Sequence, residues 1–423
     1  MSTGTEARDA LLRAIERRGE RPWMSWLREE RRAAAASFAE RGLPTRRDEA
    51  WRFTDLAGLA SVPLDAAAPP GPRSELAPGP IAEPSHRMVF MEDGLSSDPA
   101  ALPPGVELSV LDTGTARDLA PLLTVSDIKR RALSALNTAI FGRVVLLRVA
   151  AGVRLEHAIH LVFAHVAEPL LVPRIVIALG SGSHARVVEH YVGRDNSPAL
   201  VAPVTEVELG PGAELVHVHL QEQGNATYHL AELAVRQAEQ SRLRSFSLAL
   251  GAKLARLDLS TELGGSGAHA DLLGLYAGRG AQHLDHHTTI DHATPHTASR
   301  ELYKGILDER AKGVFLGSIH VRPHAQRIDA MQTNRTLLLS DSAAIHTRPQ
   351  LEIHADDVKC SHGASIGRLD ETSLFYLRSR GIGQAEARAL MISAFASEVL
   401  AELPWPALRA HAAARLGLPE GIA

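Results

Sequence analysis

The sequence holds a single cysteine, Cys360, so no disulfide can form within the chain, and a reducing compartment such as the cytoplasm is the expected home. One thiolate also falls short of the four that hold a common iron–sulfur cluster. Any cluster bound here would have to recruit histidine, carboxylate or the thiols of a partner. Aromatic residues make up only 4% of the chain, so Leu, Val, Ile and Ala must fill its core. No apolar run approaches the ~18 residues of a membrane-spanning helix. The first residues, MSTGTEARDALLRAIERRGE, are charged and have no apolar centre, so they do not read as a signal peptide. A basic excess is missing too: 45 Lys and Arg against 49 Asp and Glu leave a net charge of -4, which argues against a broad nucleic-acid surface. No phosphate-cradling G-x-x-x-x-G-K-[ST] occurs, and no dinucleotide fingerprint. The GGSG at Gly264 to Gly267 lacks a following lysine and helix and reads as a turn. A nucleotide-driven step would have to come from another chain.

Helical patterns sit at the two ends of the sequence. Residues Thr5 to Arg18 place Leu11, Leu12 and Ile15 on one side of a helix. Pro22 can open a second helix through Trp23, Trp26, Leu27 and Phe38, which Gly42 and Pro44 stop. Ser61 to Ser85 is rich in Pro and Ala and reads as a linker or long loop. From about Met88, short apolar runs bounded by turn residues take over, such as VVLLRV at Val144, RIVIAL at Arg174 and ELVHVHL at Glu214. One helical stretch, Asp127 to Phe141, interrupts them. The texture from Glu206 to Asp357 fits a β-solenoid but shows no strict repeat, and a double-sheet sandwich, jelly roll or cupin competes with it. After Asp370, helices return. Met391, Phe395, Val399 and Leu403 step by four along one face. The expected organisation is an N-terminal helical region (1–60), a Pro/Ala-rich linker (61–87), a β core (88–368) and a C-terminal helical region (369–423).

Three clusters could carry chemistry. Cys360 and His362 are two residues apart. On a strand they leave the same face, with Cα atoms about 7 Å apart at roughly 3.3 Å per residue. A thiolate and an imidazole so placed can converge on one soft metal or sulfur atom. They can equally be a small buried thiol beside a polar loop histidine. His283, His286, His287, His292 and His296, with Asp285 and Asp291, offer imidazole and carboxylate to a metal, which would suit a metal-dependent β-fold hydrolase. They lack the helical H-E-x-x-H arrangement, and hydrogen-bonded strand-edge residues are the competing reading. Leu374, Phe375 and Tyr376 belong either to the chain's own core or to a docking surface for a partner. A cysteine nucleophile would need a base, and nothing in the sequence selects among His320, His324, His346 and His354.

Four segments resemble the SufB/SufD family of the SUF iron–sulfur cluster assembly system, on its SufD side: AWRFTDL at Ala50, the stretch Asp285 to Val321, AQRIDAMQTNRTLLLSDSA at Ala325, and PQLEIHADDVKCSHGASIGRLDETSLFYLRSRGI at Pro349. The resemblance implies a mainly β fold, a right-handed parallel β-helix core flanked by N- and C-terminal α-helical regions. It implies a non-enzymatic scaffold that pairs with SufB through the last coils of the two β-helices and docks the SufC ATPase on its C-terminal helical region. ATP hydrolysis then belongs to SufC, and this chain binds no nucleotide. Cys360 and His362 fall on the family's C-S-H triplet. They are implicated in holding iron or a nascent iron–sulfur cluster, transiently and shared with SufB. The resemblance leaves a homodimer open where SufB is absent, and implies neither a nucleic-acid nor a membrane partner.

Overall fold

The structure is a computed structural model that describes residues 3–19, 27–66, 79, 81–91, 94–97, 102–111, 131–165 and 168–418. Its centre is a parallel β-solenoid of about eight turns. From the strand Val204–Leu209 onward, alternate strands belong to two facing sheets, and each pairs with the strand two places along the chain. The apolar runs at Val144–Val149, Arg174–Leu179 and Glu214–Gln221 are all strands of this body. Consecutive parallel pairing rules out the jelly roll and cupin, whose sheets are antiparallel. Two antiparallel pairs occur at the start of the solenoid among the described residues.

Register shows why no repeat is visible in the sequence. Leu243 pairs with Ala270, Ala270 with Ser299, Ser299 with Ala330 and Ala330 with Cys360, offsets of 27, 29, 31 and 30 residues. The turns absorb these differences, so stacking stays regular while sequence spacing drifts. Side chains alternate between the interior and the outer faces. Interior columns of Leu, Ile, Val and Ala form one continuous core. Each Leu, Ile or Val among them contributes about 1.5–3 kcal/mol when fully buried.

The helices cover the outside. Helix α1 (Thr3–Gly19), α2 (Arg28–Arg41) and α3 (Ala132–Ile140) pack with Trp51 over the early coils. The expected start of the second helix at Pro22, and of the third at Asp127, lie outside the described residues. Helix α4 (Glu371–Ser379) is capped by the Asp370 carboxylate, which accepts from the Ser373 amide at 2.8 Å. Helices α5 (Gln384–Leu400) and α6 (Pro406–Arg415) press Ala396, Val399, Leu400 and Leu408 onto Phe246, Leu248, Leu273 and Leu302 of one sheet's outer face. Ile81 and Ala82, at the end of the Pro/Ala-rich stretch, belong to this same apolar cluster.

The interior also carries buried polar groups. Glu189 accepts from Tyr191 at 2.7 Å and from Thr205 at 2.9 Å, and lies 3.0 Å from His217 Nε2. Asn334 donates to the Tyr276 hydroxyl at 3.2 Å. Two glycines make room for the two interior tyrosines nearby. A Cβ on Gly305 would lie 2.2 Å from the Tyr276 ring, and one on Gly274 the same distance from Tyr303. Glu301 receives a hydrogen bond from Gln332 Nε2 at 2.6 Å. Burial pushes its carboxyl up to about 7.

Gly305→Ala should destabilise the chain by about 1–3 kcal/mol through overpacking against Tyr276; an unchanged urea midpoint would contradict this close approach. Glu301 gives a pH signature. Its folded value is raised, so between its ordinary 4.5 and about 7 the folded chain keeps a proton that the unfolded chain has released. The stability this adds is full below the lower value and is lost as pH passes the upper one. Glu301→Gln removes that dependence, so the variant should gain on the wild type between about pH 5 and about pH 8. Parallel stability profiles for the two proteins would show that Glu301 does not titrate in this window.

Candidate functional site

Strands Ala344–Ile353 and Val358–Gly367 are the last of the two sheets, and among the described residues no coil stacks beyond them. The residues His354 to Asp357 turn the chain between the two strands. One coil earlier, the interior side chains Ala330, Gln332, Asn334 and Thr336 are all buried. Their register partners in the terminal strand are Cys360, His362, Ala364 and Ile366. Cys360 is half-buried against the interior core, and His362 is exposed. Both therefore stand on the inward face of a coil whose interior is open to solvent. Beneath His362 lies the buried column Gln332–Glu301, the next two positions in its register.

The Cys360 thiol is pushed above its ordinary value, first by burial and then by the charge of Asp329. It is a thiol at neutral pH, and a cation must arrive before the thiolate is favoured. His320 lies on the outer face of the opposite sheet, 2.9 Å from Glu352, and His346 stacks on Phe53 with ring centroids 4.2 Å apart. Neither of these two histidines serves Cys360 as a base.

Apolar surface surrounds the open coil. The exposed large apolar side chains among the described residues are Met331, Ile353, Ile366, Phe375 and Tyr376, all on the last coils or on α4. Phe375 is 72% exposed and Tyr376 57%, whereas Leu374 is buried within the chain. An uncovered sheet edge with apolar side chains around it is a site for pairing with another chain.

The histidine-rich segment is arranged differently from a metal site. Alternation along the strand His283–His292 sends its side chains to two opposite faces. His286 and His292 point inward, His286 between Tyr276 and Tyr303, and His292 2.7 Å from Thr297 and 2.9 Å from Ser299. On the outer face, Asp285 binds Arg256 at 2.7 Å and His287 at 3.0 Å, and accepts from Thr54 at 2.5 Å. Burial pushes the Asp285 carboxyl up, but the Arg256 charge outweighs it and holds it well below the usual carboxylate range. The Trp51 ring lies 3.8 Å from the Arg256 guanidinium, and the Ala50 carbonyl accepts from it at 2.8 Å. The five histidines thus do not converge on one ion. The outward-facing part of the segment anchors the Ala50–Leu56 stretch to the solenoid.

The sequence singled out Cys360 and His362, but not the Glu301–Gln332 column beneath His362. Only the register of coils about 30 residues apart aligns these residues. No helix among the described residues is long and apolar enough to cross a membrane.

Residues 162–395 match the family model described as "SUF system FeS cluster assembly, SufBD core domain". The chain is 33% identical over 399 residues to a SufBD family iron–sulfur cluster assembly protein of Synechocystis sp., covering 90% of this chain and 88% of that protein. It is 31% identical over 402 residues to the iron–sulfur cluster assembly protein SufD of Escherichia coli, covering 90% of each. It is 30% identical over 391 residues to the chloroplastic protein ABCI7 of Arabidopsis thaliana, covering 88% of this chain and 82% of that protein. With most of its length aligned to these proteins, the chain belongs to the SufBD family of iron–sulfur cluster assembly proteins and is a homologue of SufD.

Proposed function

We propose that this chain is the SufD-type subunit of a SUF assembly scaffold, and that its open terminal coil is completed by a SufB-type chain. The observation that carries this reading is the placement of Cys360 and His362 together on the inward face of the uncapped coil, within a frame of exposed apolar residues. Strands Ala344–Ile353 and Val358–Gly367 leave one backbone edge each for a partner's strands. Ile353 and Ile366 supply apolar surface to the same seam. A SufC-type ATPase docks on the C-terminal helices, where Phe375 and Tyr376 project to solvent and Leu374 holds α4 from within. Where the SufB-type chain is missing, a second copy of this chain would meet the same coil.

Iron, or a nascent cluster, is the cargo of the seam. An arriving ferrous ion lowers the energy of the Cys360 thiolate, and the thiol proton leaves to water. His362 donates a ring nitrogen lone pair to the same ion or cluster. Two donors leave the remaining positions to the partner, which fits a site that is built by assembly and emptied by disassembly. The chain brings no nucleotide chemistry of its own to this cycle; the ATPase partner supplies it.

His362→Ala, co-expressed with the SufB-type and SufC-type chains and purified without oxygen, should lower iron and sulfide on the complex severalfold while the complex still forms. Undiminished iron and sulfide would end the ligand role. Ile366→Lys should weaken association with the SufB-type chain at least about tenfold, or ~1.4 kcal/mol, with the chain's own unfolding midpoint unchanged. Equal affinity would place the seam elsewhere.

A further inference from the structure

A second cluster lies far from the open coil, between the outer face of the early solenoid and the C-terminal helix α6. His190 comes from the strand His184–Gly193, Glu222 follows the strand Glu214–Gln221, and His411 comes from α6. His190 Nε2 is 2.7 Å from one Glu222 oxygen, and His411 Nε2 is 2.8 Å from the other. One ligand atom from each residue lies within 4.8 Å of the others. The His190 ring is fully buried, Glu222 is nearly so, and His411 keeps 27% exposure, so solvent reaches the cluster from the His411 side. The other ring nitrogen of His190, Nδ1, faces His160 Nε2 at 3.3 Å, with the two rings stacked. A partner on the far nitrogen is how proteins orient a metal-binding imidazole.

We propose that His190, Glu222 and His411 form a binding site for a divalent transition-metal ion of the zinc class, which pins α6 to the outer face of the solenoid. Two imidazoles and a carboxylate from three separate elements match the donor set of such ions, with a fourth position left for water. Donors on one tetrahedral ion at about 2.0–2.1 Å sit roughly 3.4 Å apart, so these atoms, which lie within 4.8 Å of one another, close in on the ion by the movement of the partly exposed His411. Binding takes the Nε2 lone pairs of both neutral imidazoles, so the proton each now directs at Glu222 moves to its own Nδ1. His190 can carry its proton on Nδ1 instead, donating to His160. Two cations face the cluster. Arg415 Nε is 3.4 Å from Glu222 but half-exposed on the last turn of α6, free to turn outward as the ion enters. The positive charge of Arg87 also acts on His190 and His160. His190 and Cys360 lie in strands six places apart in one sheet, about 29 Å at roughly 4.8 Å per strand. The site therefore does not overlap the one at the open coil.

That separation defines the test. In the full-length Cys360→Ser/His362→Ala chain, calorimetric titration with zinc alone should reveal one site, and saturating zinc should raise the unfolding temperature. Adding His411→Ala, a helix-surface change, should weaken that site at least tenfold and abolish the thermal shift. Glu222→Gln should weaken it similarly. Cobalt(II) should give an absorption band that His411→Ala removes. If no zinc binds, or binding survives His411→Ala, the cluster is a hydrogen-bonded clasp only and the proposal fails. Neither outcome bears on the iron role of Cys360 and His362.

Discussion

Each coil of a parallel solenoid is completed only by its neighbours. Its backbone groups pair with the strands on either side, and its inward side chains are sealed by the coils before and after it. Within the stack this is self-consistent: Gln332 is fully buried because Glu301 precedes it and the terminal coil follows. At the last coil the rule cannot be met by the chain itself. Among the described residues the strand Val358–Gly367 has a partner on one side only, and residues that one coil earlier would be buried, such as His362 and Ile366, stand in solvent. The functional reading grows from this incompleteness. A site for cargo that must be both built and released suits a boundary that only a second chain can close.

The outside of the solenoid follows a different logic. Arg256, buried and always charged, is held by Asp258 at 2.8 Å and Asp285 at 2.7 Å and covered by the Trp51 ring. Buried ions of this kind are costly to break apart, by about 3–5 kcal/mol when one partner is removed. They therefore fix where the N-terminal segment lies rather than adding greatly to stability. The C-terminal helices are held mostly by apolar packing, with polar ties at a few points: Lys304 donates to the Phe395 carbonyl at 2.8 Å, and His411 meets Glu222 at 2.8 Å. Together the two helical regions cover the outer faces and leave the terminal coil uncovered.

Much of this was legible in the sequence, and the reasons differ from element to element. The strand Arg174–Leu179 was plain because a short β-rich apolar run between turn residues has few other uses. The competition between solenoid and sandwich could not be decided from texture, because offsets between successive coils vary from 26 residues (Tyr228 to Leu254) to 32 (Lys312 to Ala344) and hide the repeat. The resemblance to the SufD side of the family supplied what periodicity could not. Cys360 and His362 were found because a two-residue spacing has a fixed meaning on a strand. The histidines of the 283–296 segment were ambiguous for the same reason: alternation sends His286 inward and His287 outward, so closeness in sequence is not closeness in space. The His190–Glu222–His411 cluster joins residues 32 and 189 positions apart, and nothing local in the sequence announces it.

The account rests on the terminal coil being completed by another chain. Hydrogen exchange of the full-length protein, alone and in complex with a SufB-type chain, tests this most directly. The account predicts that amides on the free edge of Val358–Gly367 and Ala344–Ile353 exchange fast in the isolated chain. In the complex they should slow by at least about a hundredfold, as expected for newly paired strands. A complex that forms while these amides stay unprotected, with protection appearing elsewhere, would contradict it.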